Sequence, residues 1–98
     1  MNDKLRDAHM DELFKAILTL DSVDECYAFF DDLCTISELK AMAQRFKVAT
    51  MLSEKHVYND VVKETGASTA TISRVNRCLN YGNDGYKTAI DRLKNGGK

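Results

Sequence analysis

Apolar residues recur at helical intervals along most of the chain, and no stretch sustains the period-two alternation of a half-buried strand. Leu13, Phe14, Ile17 and Leu18 form an i, i+1, i+4, i+5 stripe, which predicts a helix near 9–19. Val23, Cys26, Tyr27, Phe30 and Leu33 predict a second near 22–33. Asp21 would be its N-cap, with Asp24 and Glu25 in the first turn, where negative charge suits the helix dipole. Thr35-Ile36-Ser37-Glu38 has the spacing of a capping box and opens a longer helix, near 36–54. Its apolar residues, among them Leu39, Met42, Phe46, Val48, Ala49 and Leu52, cover more than one face, as expected of a central helix buried by several neighbours. Two short helices follow, at 58–64 and 68–80, separated by Thr65-Gly66-Ala67. A last helix near 84–95 has Tyr86, Ala89, Ile90 and Leu93 as its stripe, and the tail Asn95-Gly96-Gly97-Lys98 is expected to fray. The pattern predicts an all-α protein of about six helices, in a single domain over 1–98.

Composition agrees and narrows the classes of function. Among 98 residues there is no Pro, the strongest helix breaker. The length suits one small domain and argues against a two-domain enzyme with a large enclosed cleft. Ordinary apolar content and a net charge of -1 argue against disorder. No apolar run approaches the ~18 residues that span a bilayer, and the first residues lack the apolar region of a secretory signal. Cys26, Cys34 and Cys78 are odd in number and form no CxxC, which fits neither a disulfide framework nor a zinc site. They are expected to be reduced, mostly buried thiols of a cytoplasmic protein. His9 and His56 have no nearby Cys or His partner and are expected at the surface rather than on a metal. HExxH, GxGxxG and Walker A patterns are all missing, so catalysis is not expected.

The near-zero net charge hides an asymmetry. Residues 1–39 carry a balance of -7, and residues 40–98 a balance of +6. Between Gly66 and Asn83 there is no acidic residue, although Arg74 and Arg77 are present. Such a distribution suits a molecule with one end facing a polyanion. It also suits two halves that neutralise each other in a compact fold or dimer, so charge alone does not choose.

The stretch from Tyr58 to Arg77 chooses. It has the form of a helix-turn-helix, with a glycine-containing turn between two short helices. Val61 is placed to face the second helix, and Gly66 can take the positive φ of a tight turn. Ser68 is a natural N-cap, while Ile72, Val75 and Leu79 anchor the second helix to the core. Asn59 is the available cap for the first helix, and Val62 stands where many such units have Ala or Gly. At ~100° per residue, Ala70, Ser73, Arg74 and Arg77 oppose the apolar stripe, with Thr69 beside them. Small residues at a helix N-terminus allow close entry into a major groove, and the guanidinium groups behind them reach phosphate or guanine. A solvated structural helix would more often expose Glu and Lys mixed together.

These residues also carry a family resemblance. Thr35-x-x-Glu38, Ala41-x-x-Gln44-Arg45 and the run Gly66-Ala67-Ser68-Thr69-Ala70-Thr71-Ile72-Ser73-Arg74 resemble the Trp repressor family, in particular its Trp-repressor-related (YerC/YecD-type) branch. The resemblance covers about residues 10–94. It implies a six-helix fold in which the N-terminal helices of two chains interlock. Residues 10–57 would then form dimerisation helices, 58–80 the helix-turn-helix and 84–95 a C-terminal helix. The family's tryptophan pocket maps onto Thr35, Arg45, Arg74, Val75 and Cys78. A glycine of the tryptophan-responsive pattern is Val75 here, and a serine is Cys78, which removes room for an indole and a good hydrogen-bond partner. Tryptophan is therefore not expected as corepressor, and no other cofactor is implied.

The function expected from residues and resemblance together is a homodimeric, sequence-specific transcriptional regulator, a repressor, on a near-palindromic DNA operator. Thr69, Ala70 and Ser73 would face base edges. Asn59, Lys63, Arg74 and Arg77 would hold phosphates, and Ser68, the cap of the recognition helix, is expected to belong to the DNA-binding surface with them. The competing expectation is a protein-interaction module whose helix-turn-helix docks a protein, with the acidic N-terminal half as a contact surface.

Overall fold

A computed structural model describes residues 3–96. Among the described residues there are six α-helices and no strand. They are α1 (Ala8–Ile17), α2 (Val23–Leu33), α3 (Ile36–Ser53), α4 (Tyr58–Thr65), α5 (Thr69–Tyr81) and α6 (Gly85–Lys94), preceded by a 3-10 turn at Asp3–Leu5. The all-α expectation holds, and helix ends fall within two residues of the spans read from periodicity. Gly97 and Lys98 of the tail expected to fray lie outside the described residues. The chain forms two compact units, divided between Leu39 and Lys40 within α3.

Local hydrogen bonds fix the helix starts of the first unit. Asp7 caps α1 by accepting from the Met10 amide at 2.7 Å. The cap of α2 is Ser22 rather than Asp21. Ser22 Oγ accepts from the Glu25 amide at 3.1 Å, and Glu25 Oε1 accepts from the Asp21 amide at 2.8 Å, so the capping side chain sits one residue later than expected. The Thr35–Glu38 capping box forms as predicted. Glu38 Oε1 accepts from the Thr35 amide at 2.8 Å, and Thr35 Oγ1 accepts from the Glu38 amide at 3.1 Å. Hydrogen bonding to Thr35, through its backbone first and its side chain second, favours the ionised carboxylate and lowers the Glu38 pKa below the usual glutamate range.

The apolar stripes of α1 and α2 find little cover. Neither helix contains a buried residue. Leu18 is 83% exposed, Val23 71% and Tyr27 74%, while Leu13, Ile17, Cys26 and Phe30 are half-buried. Phe29 and Phe30 pack edge to face, with ring centroids 5.3 Å apart.

The second unit has a definite core. Val48, Ala49 and Met51 of α3 join Val61 of α4, Ala67 of the turn, Ile72 and Val75 of α5, and Ile90 of α6. Phe46, Leu52 and Tyr86 pack partly against this cluster, and Leu79 is buried as well. α3 is thus central through its C-terminal half. Met42, nearer its start, is exposed. In α6 only Ile90 of the expected stripe is buried, and Ala89 and Leu93 face solvent, because a ten-residue helix lying against one side of the core buries a narrow line. The three cysteines are free, as expected, but half-buried rather than buried. His9 and His56 are at the surface, with His56 Nε2 3.7 Å from Glu54 Oε1.

Candidate nucleic-acid interface

The turn between α4 and α5 is built from bonds that its sequence specifies. α4 ends at Gly66, whose φ of +70° places it in the left-handed region that favours glycine and whose amide donates to the Val62 carbonyl at 2.8 Å. Thr65 Oγ1 donates to the Val61 carbonyl at 2.7 Å and accepts from the Ala67 amide at 3.1 Å. Ala67 is itself 3% exposed, so this amide would otherwise be buried without a partner. Ser68 then caps α5. Its Oγ accepts from the Thr71 amide at 3.1 Å and donates to Thr71 Oγ1 at 3.0 Å.

α5 is anchored as predicted. Ile72, Val75 and Leu79 are all buried, at 0%, 1% and 6% exposure. On the opposite side Thr69, Ala70, Ser73, Arg74 and Arg77 are all exposed, so the five residues read as the outward face share it. Among the described residues neither arginine has an ion-pair partner, and the helix bears no carboxylate. Asn59 and Lys63 are exposed on α4. Asn59 is not a cap, because it lies within α4, whose N-cap position is Val57, without a side-chain bond. Val62 is 37% exposed rather than buried between the two helices. Asp60 and Glu64 accompany Lys63 on α4, so the uniformly cationic character belongs to α5 alone.

Of the positions read as a ligand pocket, four belong to the second unit. Arg45 is half-buried, Arg74 is exposed, and Val75 is packed into the core. Cys78 lines an open recess with Asn83, Gly85 and Tyr86. Thr35 belongs to the first unit, where its hydroxyl serves the capping box. Among the described residues no group of His, Cys, Asp and Glu could hold a metal ion.

Two contributors to the turn carry no clear signal in the sequence pattern. Ala67 is small enough to be swallowed by the core at the turn, and its place between Gly66 and the capping serine is the only hint of its burial. Gln44 reaches from α3 to the turn, where its Nε2 donates to the Thr65 carbonyl at 3.0 Å. Nothing in the local sequence signals a bond across 21 positions.

Two short helices joined by a glycine turn, the second with one side buried in the core and the other exposed, define the class of helix-turn-helix proteins. Comparison with known proteins specifies the family within it. The family model for the Trp repressor protein matches residues 8–94, and the chain belongs to that family. It is 61% identical over 92 residues to the uncharacterized protein YerC of Bacillus subtilis (strain 168), covering 94% of this chain and 88% of that one. A crystal structure of a TrpR-like protein from Eubacterium eligens ATCC 27750 superposes with a TM-score of 0.91 at 56% identity, over 95% of this chain and 96% of the other. A second, from Staphylococcus aureus and described as a candidate Trp repressor, gives a TM-score of 0.92 at 53% identity, over 96% and 95%. The family is one of regulators, and no described helix is long and apolar enough to cross a membrane.

Proposed function

We propose that this protein is a sequence-specific DNA-binding transcriptional repressor that acts in the cytoplasm as a homodimer. The observation that carries the proposal is the two-sided character of α5. One side is locked into the core by Ile72, Val75 and Leu79, and the other presents Thr69, Ala70, Ser73, Arg74 and Arg77 to solvent without a carboxylate. In this reading Thr69, Ala70 and Ser73 approach base edges in the major groove, while Arg74, Arg77, Lys63 and Asn59 hold phosphates. Ser68 supports them as the cap.

Membership of the family supports DNA as the partner. The uncovered stripes of α1 and α2 support a dimer, because Leu18, Val23 and Tyr27 are large apolar side chains that a second chain could bury. Two recognition helices would then read half-sites about 34 Å apart on a near-palindrome. Tryptophan is not the effector. Val75 is consumed by the core rather than bordering a slot, and Cys78 offers a thiol where the family's pattern has a hydroxyl.

Selection of bound duplexes from a random pool, followed by footprinting, tests the proposal. Enrichment of a two-fold symmetric site supports it. A protein that enriches no sequence and binds no duplex at low salt is a protein-docking module instead. Thermal-shift measurement with tryptophan tests the effector statement, and a clear stabilisation would refute it.

A further inference from the structure

The turn of the helix-turn-helix is shaped by one set of bonds and aimed by another. Those made by Thr65 Oγ1 and Ser68 Oγ are local, spanning two to four residues. They define the path of the chain from α4 to α5 but carry no information about how that path lies on α3. Val61, Ala67, Ile72 and Val75 share one buried apolar cluster with Val48 and Ala49 of α3, and apolar packing of this kind is non-directional. The Gln44 bond differs on both counts. It joins two elements, it is part-buried, and it is directional, with the amide nitrogen of Gln44 3.0 Å from the Thr65 carbonyl oxygen.

The acceptor is also well chosen. The last carbonyls of a helix have no intrahelical donor. At the end of α4 the Gly66 amide takes the Val62 carbonyl, and the Thr65 hydroxyl bonds to the Val61 carbonyl. Thr65 is the last residue of α4, and α3 supplies the donor for its carbonyl. That carbonyl immediately precedes left-handed Gly66 and lies three residues before the cap of α5. A shift at this point changes the direction in which α5 leaves the turn.

We propose that Gln44 is a positioning residue for the recognition helix, fixing the angle at which α5 is presented by holding the end of α4 to α3. The proposal deepens the DNA-binding reading and rests on it for its binding readout, whereas its structural readout does not need DNA. Gln44→Met keeps the length of the side chain and removes the donor. Gln44→Glu keeps the shape but, when ionised, sets a carboxylate against a carbonyl. When protonated, the same group donates again. Burial and the facing carbonyl both favour the protonated form of that carboxyl.

The experiment measures amide hydrogen exchange across residues 65–68 in the free protein, and affinity for two probes. One probe is the duplex enriched by the wild-type protein from a random pool, and the other is an unselected random duplex. Gln44→Met is expected to exchange faster through the turn and to lose about tenfold in affinity for the enriched duplex, with little change on the random one. Gln44→Glu is expected to match it at pH 8 and, measured relative to wild type at each pH, to lose less as the pH falls. Wild-type exchange in the turn of both variants overturns the proposal. So does a loss equal on both duplexes. If the wild-type protein enriches no duplex, the DNA reading fails, and the exchange measurement alone decides whether Gln44 holds the turn.

Discussion

The hydroxyl of Thr65 accepts from the amide of Ala67 at 3.1 Å while donating to the carbonyl of Val61 at 2.7 Å. One side chain thus serves both the end of α4 and the first amide beyond Gly66. Thr65→Val keeps the shape and removes both bonds, leaving the amide of nearly buried Ala67 unpaired. The expected cost is about 1–3 kcal/mol, read as a lower urea midpoint, and Thr65→Ser should restore most of it.

The two glycines that end α4 and α5 should respond differently to a methyl group. Gly66 has open space around the Cβ position but a φ of +70°, so Gly66→Ala costs only what the left-handed backbone demands, about 1–2 kcal/mol. Gly82 has a negative φ, yet a Cβ there would press into the carbonyl of Cys78. The backbone must move to relieve that clash, so Gly82→Ala should lower the thermal midpoint more than Gly66→Ala. A smaller effect at Gly82 would show that the end of α5 yields easily.

Arg74 and Arg77 are exposed and have no carboxylate partner among the described residues, so their removal should leave folding nearly unchanged. Their joint replacement by Ala should weaken binding to every duplex. It should also flatten the salt dependence by about 0.9 in log–log slope for each phosphate left without its guanidinium. Wild-type affinity and slope in the double variant would assign the DNA surface elsewhere.

The start of α3 should depend on pH through Glu38. Its folded pKa lies below the usual range because the Thr35 amide and hydroxyl bond to its charged form. The contribution is therefore fully present above the unfolded glutamate pKa and is lost as pH falls through the folded value. Amide exchange at the first turn of α3 should quicken on acidification. Glu38→Gln, which can keep the bond from the Thr35 amide without titrating, should remove that dependence.

Oligomeric state can be tested on the uncovered stripes. Leu18 and Tyr27 are largely exposed in one chain, so Leu18→Glu and Tyr27→Glu should scarcely affect the fold of a monomer. If these positions meet a second chain, the wild type sediments as a dimer and both variants shift toward monomer.

Helix positions are legible in the sequence because capping residues and apolar periodicity are local properties. Ser68, Gly66 and the Thr35–Glu38 pair signal their roles within a few residues of chain, and the structure bears each of them out. The inward stripe of α5 is legible for the same reason. Burial is less so. Leu93 and Leu18 belong to stripes as regular as that of Ile72, yet they remain exposed, because periodicity reports a face and not what covers it. The shift of a cap from Asp21 to Ser22 turns on which of two adjacent residues offers its side chain to Glu25 and which its amide. The role of Gln44 is illegible in principle, since its partner lies on another element.

Capping also sets a limit on chemistry at the start of α5. Four hydroxyl-bearing residues occur between Ser68 and Ser73, but those of Ser68 and Thr71 are engaged with each other. Only Thr69 and Ser73 keep hydroxyls without a partner among the described residues, with one methyl group, Ala70, between them on the outward face. So small a vocabulary distinguishes few base pairs by touch. A protein that reads DNA with it, and spends its guanidinium groups on phosphates, must draw much of its discrimination from the ease with which a sequence bends, twists or narrows its grooves. Its preferred sites should then share a shape more strictly than they share letters.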